Sequence, residues 1–204
     1  MVGVNGAHSH DIDSPSFFNV SEIKAVLDLV GDLIRSPTVK VSTADIGVIC
    51  AFRAQVLRMR VAMREAGFGE VNIGSVEDFQ GQECRVVIIS TVLSQKVPAF
   101  VNHKGSHGMC GDFRKFNVAI TRGIALTVVV GNPFFLASDW NWNNYMNYCD
   151  DNGCYTGCAC PLLKSARESD LDLNAIAEYT SSWDADPVAP GVYVNSDLSW
   201  RLRM

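Results

Sequence analysis

Gly74-Ser75-Val76-Glu77-Asp78-Phe79-Gln80-Gly81-Gln82-Glu83 is a polar stretch with two glycines, and a run rich in valine and isoleucine, Arg85–Val92, follows it closely. The apolar run has the length and β-branched content of a central strand, and Val71–Ser75 reads as another strand just before it. Upstream, Ile46–Cys50 is a third short buried run. Arg53–Ala66 follows with Val56, Leu57, Met59, Arg60 and Met63 at helical spacing, and Gly67 stops it. Further upstream Asn19 opens a helix. It is a good cap, Glu22 stands three residues on as in a capping box, and Ile23, Val26, Leu27, Val30, Leu33 and Ile34 recur until Pro37.

Downstream, Ser94–Gly111, with Gly105, Gly108 and Gly111, reads as a loop. Asp112–Arg122 reads as a helix and Ala125–Gly131 as a further strand. Asn132 and Asp139 are placed to cap two more helices, the second running through Trp142, Tyr145, Met146 and Cys149. Strands alternating with helices over residues 19–152 predict an α/β domain built on a parallel sheet. The expected organisation is a lead-in over 1–18, a domain over 19–160, and an acidic, flexible tail over 161–204, where Leu171, Leu173 and Ile176 suggest one short helix. In open α/β sheets ligands sit beyond the carboxyl ends of the strands, which directs attention to the residues after Cys50, after Ser75 and near Arg122.

Charge sharpens this. The 204 residues carry 17 basic and 22 acidic groups, a net −5. Residues 46–122 alone hold 10 basic against 6 acidic, while 123–160 hold 3 acids and no base. Positive charge is concentrated where the polar motifs lie, as a phosphate-binding face requires, although solvated helix faces at Arg58, Arg60 and Arg64 account for part of it. The apolar runs are too short to span a bilayer and the first residues have neither a basic n-region nor an apolar h-region, so a soluble, cytoplasmic chain with no membrane partner is expected. Seven cysteines, an odd number lying partly in apolar segments, fit reduced thiols. The spacing Cys149, Cys154, Cys158, Cys160 is not a common zinc pattern, so no metal site is expected. His103 and His107 read as exposed loop residues, and Trp140, Trp142, Trp183 and Trp200 as packing residues outside the basic segment.

Singly, Arg53, Gly74, Gly81 and Arg122 each have an ordinary structural explanation. Together, IGVICAFRAQ (46–55), GSVEDFQGQE (74–83), VVIISTV (86–92), KFNVAITR (115–122) and VVVGNP (128–133) occur in the order of motifs IV, V and VI of superfamily-1 helicases. The chain resembles the second RecA-like domain of the Upf-like branch and is most similar to the Mov-ten group, which includes the plant silencing-defective helicases. SPSFFNVSE (14–22) and NGCYTGC (152–158) fit the same group, so the resemblance covers roughly residues 1–160.

The resemblance implies a RecA-like P-loop NTPase fold and a part in 5′-to-3′ unwinding. ATP would lie in the cleft between two such domains, with Mg2+ held by the first domain. It implies that Arg122 is an arginine finger and Arg53 a second phosphate contact. Glu83 would accept from the ribose, beside Gly81 and Gln82. Ser75, with Val76 and Gln80, would touch the backbone of single-stranded RNA, with DNA left open. Asn117 and Thr121, four apart, would orient the finger helix. RNA silencing is the implied setting. Ala51-Phe52 replaces Pro-Tyr, Leu93 replaces an arginine, and Gly123-Ile124 replaces a pair ending in lysine, so positive charge is lost at 93 and 124.

No G-x-x-x-x-G-K-[ST] occurs and no acidic magnesium motif follows a strand. A chain with only the finger side cannot cradle the phosphates itself, and a fragment of a longer helicase is the expectation. A non-catalytic RNA- or protein-binding module derived from such a helicase stays open beside it.

Overall fold

Ile46–Cys50 is buried at every position, and it forms β4 of a sheet whose strands all run parallel. A strand buried on both faces needs cover on both, and the chain supplies it from two sets of helices. The computed structural model describes residues 1–11, 14–95, 108–160 and 163, all within one compact unit, Met1–Leu171.

In chain order the elements are β1 (Val2–Gly3), β2 (Ser9–His10), β3 (Phe17–Phe18), α1 (Val20–Arg35), a 3-10 turn (Thr43–Asp45), β4, α2 (Arg53–Glu65), β5 (Asn72–Gly74), β6 (Cys84–Ser90), α3 (Phe113–Ile120), β7 (Gly123–Gly131), α4 (Pro133–Leu136), α5 (Trp140–Asp151) and β8 (Thr156–Gly157). The sheet order is β5-β4-β6-β7-β1-β8, and β2 and β3 form a separate antiparallel pair. This is a parallel β-sheet flanked by α-helices, the RecA-like P-loop NTPase arrangement.

Alternation along the strands sorts the core into two layers. Ile46, Val48, Cys50, Val86 and Ile88 pack with Ile23, Val26 and Val30 of α1 and with Val56, Met59 and Met63 of α2. Ile49, Val87, Ile89 and Val129 face the other way. They meet Val76 and Phe79 of the polar stretch, Ala119 of α3, Phe135 and Leu136 of α4, and Trp142 and Met146 of α5. Each fully buried side chain of this size stabilises by about 1.5–3 kcal/mol relative to exposure, so both layers are needed to hold the sheet. Trp142 anchors the second layer: it is fully buried, donates through Nε1 to the Met109 carbonyl (3.3 Å), and meets Phe116 edge-on.

The caps read from the sequence form. Asn19, Asn132 and Asp139 each accept from two N–H groups of the helix that follows. Glu22 does not close its capping box: the Asn19 N–H donates to Oε1 of Gln55 (2.9 Å), and the Glu22 carboxylate is drawn into the interior. Val2–Gly3 lies between β7 and β8, so the sheet takes in residues ahead of the expected alternation. Among the replaced positions, Leu93 is fully buried in the core and Ile124 is 69% exposed on β7. His103, His107, the Leu171–Ile176 helix, Trp183, Trp200 and the tail lie outside the described residues, apart from Leu163.

Candidate phosphate and nucleic-acid site

In a parallel sheet, the chain leaving one strand's carboxyl end must cross to the amino end of the next. Ser75–Glu83 makes that crossing without a helix, from β5 to β6. Val76 and Phe79 are buried and pin it to the sheet, while Gln80, Gly81, Gln82 and Glu83 stay exposed. The Ser75 N–H donates to Oδ2 of Asp78 (2.8 Å) and the Asp78 N–H donates back to Oγ of Ser75 (3.3 Å). This is a reciprocal cap on a single turn. Bonds from Ser75 hold the Asp78 carboxyl below the usual range, and the fields of Arg60 and Arg53 add to them. The Ser75 hydroxyl oxygen accepts within the turn, and its O–H donates toward the Asp78 and Glu77 carboxylates, so the hydroxyl is engaged within the crossing.

Gly81 has φ +76°, a conformation that favours glycine, and a Cβ there would meet nothing within 4 Å. Within this chain, then, the dihedral alone demands glycine, and no close approach of neighbouring atoms does. Val76 is 3% exposed, so any contact it makes with a ligand runs through its main chain.

Arg53 is the first residue of α2, just beyond the carboxyl end of β4, and its side chain is exposed. Arg122 lies elsewhere. It directly precedes β7, at the amino edge of the sheet, and Glu83 directly precedes β6. Of the three positions singled out from the sequence, Arg53 and Ser75 thus follow the carboxyl ends of β4 and β5, whereas Arg122 precedes the amino end of β7. The reason is that a helix-to-strand connection ends at a strand's start.

Arg122 is half-buried and braced. Nε donates to the Val118 carbonyl (3.0 Å), Nη2 to Oγ1 of Thr121 (2.9 Å), and Nη1 to the Gln82 carbonyl (3.4 Å). Thr121 in turn donates to the carbonyls of Asn117 (2.8 Å) and Val118 (3.2 Å). A guanidinium has five N–H groups, so each terminal nitrogen keeps one donor for an external acceptor. The crossing segment and the Arg122 helix are tied at two further points. Cys84 N–H donates to the Arg122 carbonyl (3.1 Å), and Lys115 Nζ pairs with Oε1 of Glu77 (2.9 Å). Partial burial works to raise the Glu77 carboxyl, but the Lys115 bond and field outweigh it and hold it below the usual range. Gln82 locks the turn from the other side, donating to the Asp78 carbonyl (2.7 Å) and accepting from Asn72 (3.1 Å).

The sequence reading left out Asp78 and Lys115 as structural partners. Ser75-x-x-Asp78 is itself a capping-box pattern and could have been found. The Lys115–Glu77 pair spans two elements and has no local signal. Among the described residues no group of three or more histidine, cysteine or acidic side chains could hold a metal ion. Cys149 and Cys160 are buried, Cys154 is exposed and Cys158 is half-buried, and none of the four is in a disulfide. Among the described residues no helix is long and apolar enough to cross a membrane.

A RecA-like sheet carrying a braced arginine and a capped polar crossing defines a domain of the P-loop NTPase class. A family model described as an AAA domain matches residues 1–133, and the chain belongs to that family. It is related to the Mov10-type superfamily-1 helicases. "Putative helicase mov-10-B.1" of Danio rerio is 42% identical over 192 residues, 87% of this chain and 19% of that protein. "RNA helicase Mov10l1" of Homo sapiens is 41% identical over 159 residues, 78% and 13% respectively. "Probable RNA helicase armi" of Drosophila melanogaster is 34% identical over 161 residues, 79% and 13%. The chain thus spans less than a fifth of the length of these curated relatives.

Proposed function

We propose that this chain is the second motor domain of an ATP-dependent RNA helicase, closing on nucleotide held by a first domain. The observation that supports this best is the bracing of Arg122. Three bonds to protein oxygens fix the guanidinium and leave two donors, the number a bidentate phosphate contact uses. A side chain oriented before the ligand arrives stabilises developing charge without reorganising. Arg53 adds a second exposed cation at the start of α2, and Glu83 an exposed acceptor suited to ribose hydroxyls. ATP, when bound, would supply the phosphoryl group whose transfer drives the motor, and Mg2+ would be held by the partner domain.

RNA binding is proposed from the relatives' printed names and from the position of Ser75, just beyond the carboxyl end of β5, where a contact to the nucleic-acid backbone is expected. Such contacts give affinity without base preference. Gln80 stands exposed on the same turn. The Gln82 carbonyl and the Glu77–Lys115 pair connect this turn to α3, so a backbone contact at Ser75 and a phosphate contact at Arg122 would be linked through the crossing.

The test is RNA-stimulated ATP hydrolysis in the full-length parent helicase, or with a first domain supplied in trans. Arg122→Ala should lower the rate by ~10³ or more, as loss of an arginine finger does. Equal rates for the variant and wild type would end the finger assignment. The second reading, a non-catalytic RNA- or protein-binding module, draws on the lack of any G-x-x-x-x-G-K-[ST] in these 204 residues. RNA binding by this chain that nucleotide and a first domain leave unchanged would favour it.

A further inference from the structure

The interior holds one acidic group that the proposed site does not use. Glu22 is fully buried at the start of α1, and among the described residues no cation bonds to it. Its carboxylate accepts from Oγ of Ser90 (2.6 Å), a length typical of a charge-assisted bond, and from the Val92 N–H (2.9 and 3.0 Å to its two oxygens). Ser90 Oγ in turn accepts from Nε2 of Gln55 (2.9 Å). Gln55 clasps the main chain of Asn19: its Oε1 accepts the Asn19 N–H (2.9 Å) and its Nε2 also donates to the Asn19 carbonyl (3.2 Å). Asn19 Nδ2 closes the ring by donating to the Val92 carbonyl (3.2 Å).

Three elements meet here: the start of α1, the start of α2 and the end of β6. Val92 is held at φ +73°, a conformation that costs a β-branched residue on the order of 1–2 kcal/mol and persists only where its surroundings impose it. The α2 end has no side-chain cap of its own at Phe52, so Gln55 and the Ser16 hydroxyl, which accepts the Ala54 N–H (2.9 Å), fix it. Arg53 lies two residues from Gln55.

We propose that Glu22 is a positioning residue: through Ser90 and Gln55 its carboxylate sets the start of α2, and with it Arg53, against the carboxyl end of the central strand. The part about Arg53 rests on the phosphate role proposed above. The chain of bonds has a direction, from the Gln55 amide to the Ser90 hydroxyl to the Glu22 carboxylate. Protonation at Oε2 reverses the bond to Ser90, and the hydroxyl hydrogen must then turn to one of its two other directions, one of which the Gln55 amide occupies. Burial lifts Glu22 to about 7, against the lowering effect of the Ser90 and backbone bonds, so the reversal falls in an accessible pH range. The titratable groups that feel its charge from other elements are the buried thiols of Cys50 on β4 and Cys110, both pushed up first by burial; Arg60 on α2 acts on Cys50 in the opposite sense. His8 holds the far end of the segment, sharing a bond between Nδ1 and Oγ of Ser94 (2.9 Å), and burial and then His10 push it below 6.5.

The experiment is a pH titration of the 15N-labelled 204-residue chain, following the amides of Arg53, Ala54 and Val92 from roughly pH 5.5 to 8.5. In wild type all three should shift together with a midpoint near 7. In Ser90→Ala, Val92 should still titrate while Arg53 and Ala54 stop. In Glu22→Gln all three should be flat, and should that variant not fold, Ser90→Ala carries the test alone. Arg53 and Ala54 amides that stay still in wild type, titrate below 6.5 with His8, or still follow Val92 in Ser90→Ala would overturn the proposal. An Arg53→Ala parent helicase with unchanged ATP hydrolysis would remove the phosphate role instead and leave these titrations standing.

Discussion

The corner around Glu22 and the crossing at Ser75–Glu83 use the same polar residue types to opposite ends. At the corner, Asn19, Glu22, Gln55 and Ser90 are almost fully excluded from water, and every side-chain donor or acceptor is spent on another part of the chain. At the crossing, Gln80, Gln82 and Glu83 are exposed, and Arg122 keeps two N–H groups. A buried polar group without a partner costs about 1–3 kcal/mol, so a complete network specifies architecture. A group that is oriented yet incompletely bonded is suited to a ligand. What separates the two regions is how many valences remain, rather than which residues are present.

Substitution should break the comparison most sharply at Arg122. Arg122→Lys keeps the charge but cannot both brace against three oxygens and present two donors. ATP hydrolysis in the parent helicase should fall by about 10²–10³, with the melting temperature of this chain little changed. An equal loss of stability would mean that Arg122 belongs with the architectural set.

Next in size is the pH dependence of the corner. Glu22 binds its proton more tightly folded than unfolded, so the native state holds more protons between 4.5 and about 7. Stability contributed by this group is therefore greatest at low pH and declines as pH rises through that window, by on the order of 3 kcal/mol at most. Urea titrations across the window should show the slope in wild type and a flatter line in Glu22→Gln.

Gly81→Ala should cost roughly 1–2 kcal/mol through its dihedral alone, because nothing stands where the methyl would go. A much larger loss of ATP hydrolysis than of stability would show that a ligand, rather than the chain, approaches there. The smallest effect belongs to Glu77–Lys115. A pair this exposed should couple by less than about 1 kcal/mol in a double-mutant cycle with Glu77→Gln and Lys115→Met. A greater value would make the tie between the crossing and α3 more rigid than its exposure suggests.

Much of this was legible beforehand. β4, β5, β6 and β7 announce themselves as apolar runs, and Asn19, Asn132 and Asp139 as caps, because their partners lie within a few residues. β1 and β8 do not: two residues carry no period, and pairing across more than a hundred positions creates them. Glu22 fits a capping box by spacing, yet Ser90 and Val92, 68 and 70 residues away, bind it instead. The candidate site residues were chosen by pattern. Their division between the two edges of the sheet was not legible, because it depends on which end of a strand each connection reaches.

β1 also has a consequence for how the domain is made. Val2 pairs with Val130 on one side and Thr156 on the other, so on a translating ribosome it waits for some 150 residues to emerge before it has both neighbours. At about 5–20 residues per second that interval is on the order of ten seconds. For that time Val2–Gly3 is an extended segment without its sheet neighbours, and its backbone groups are open to any other strand edge.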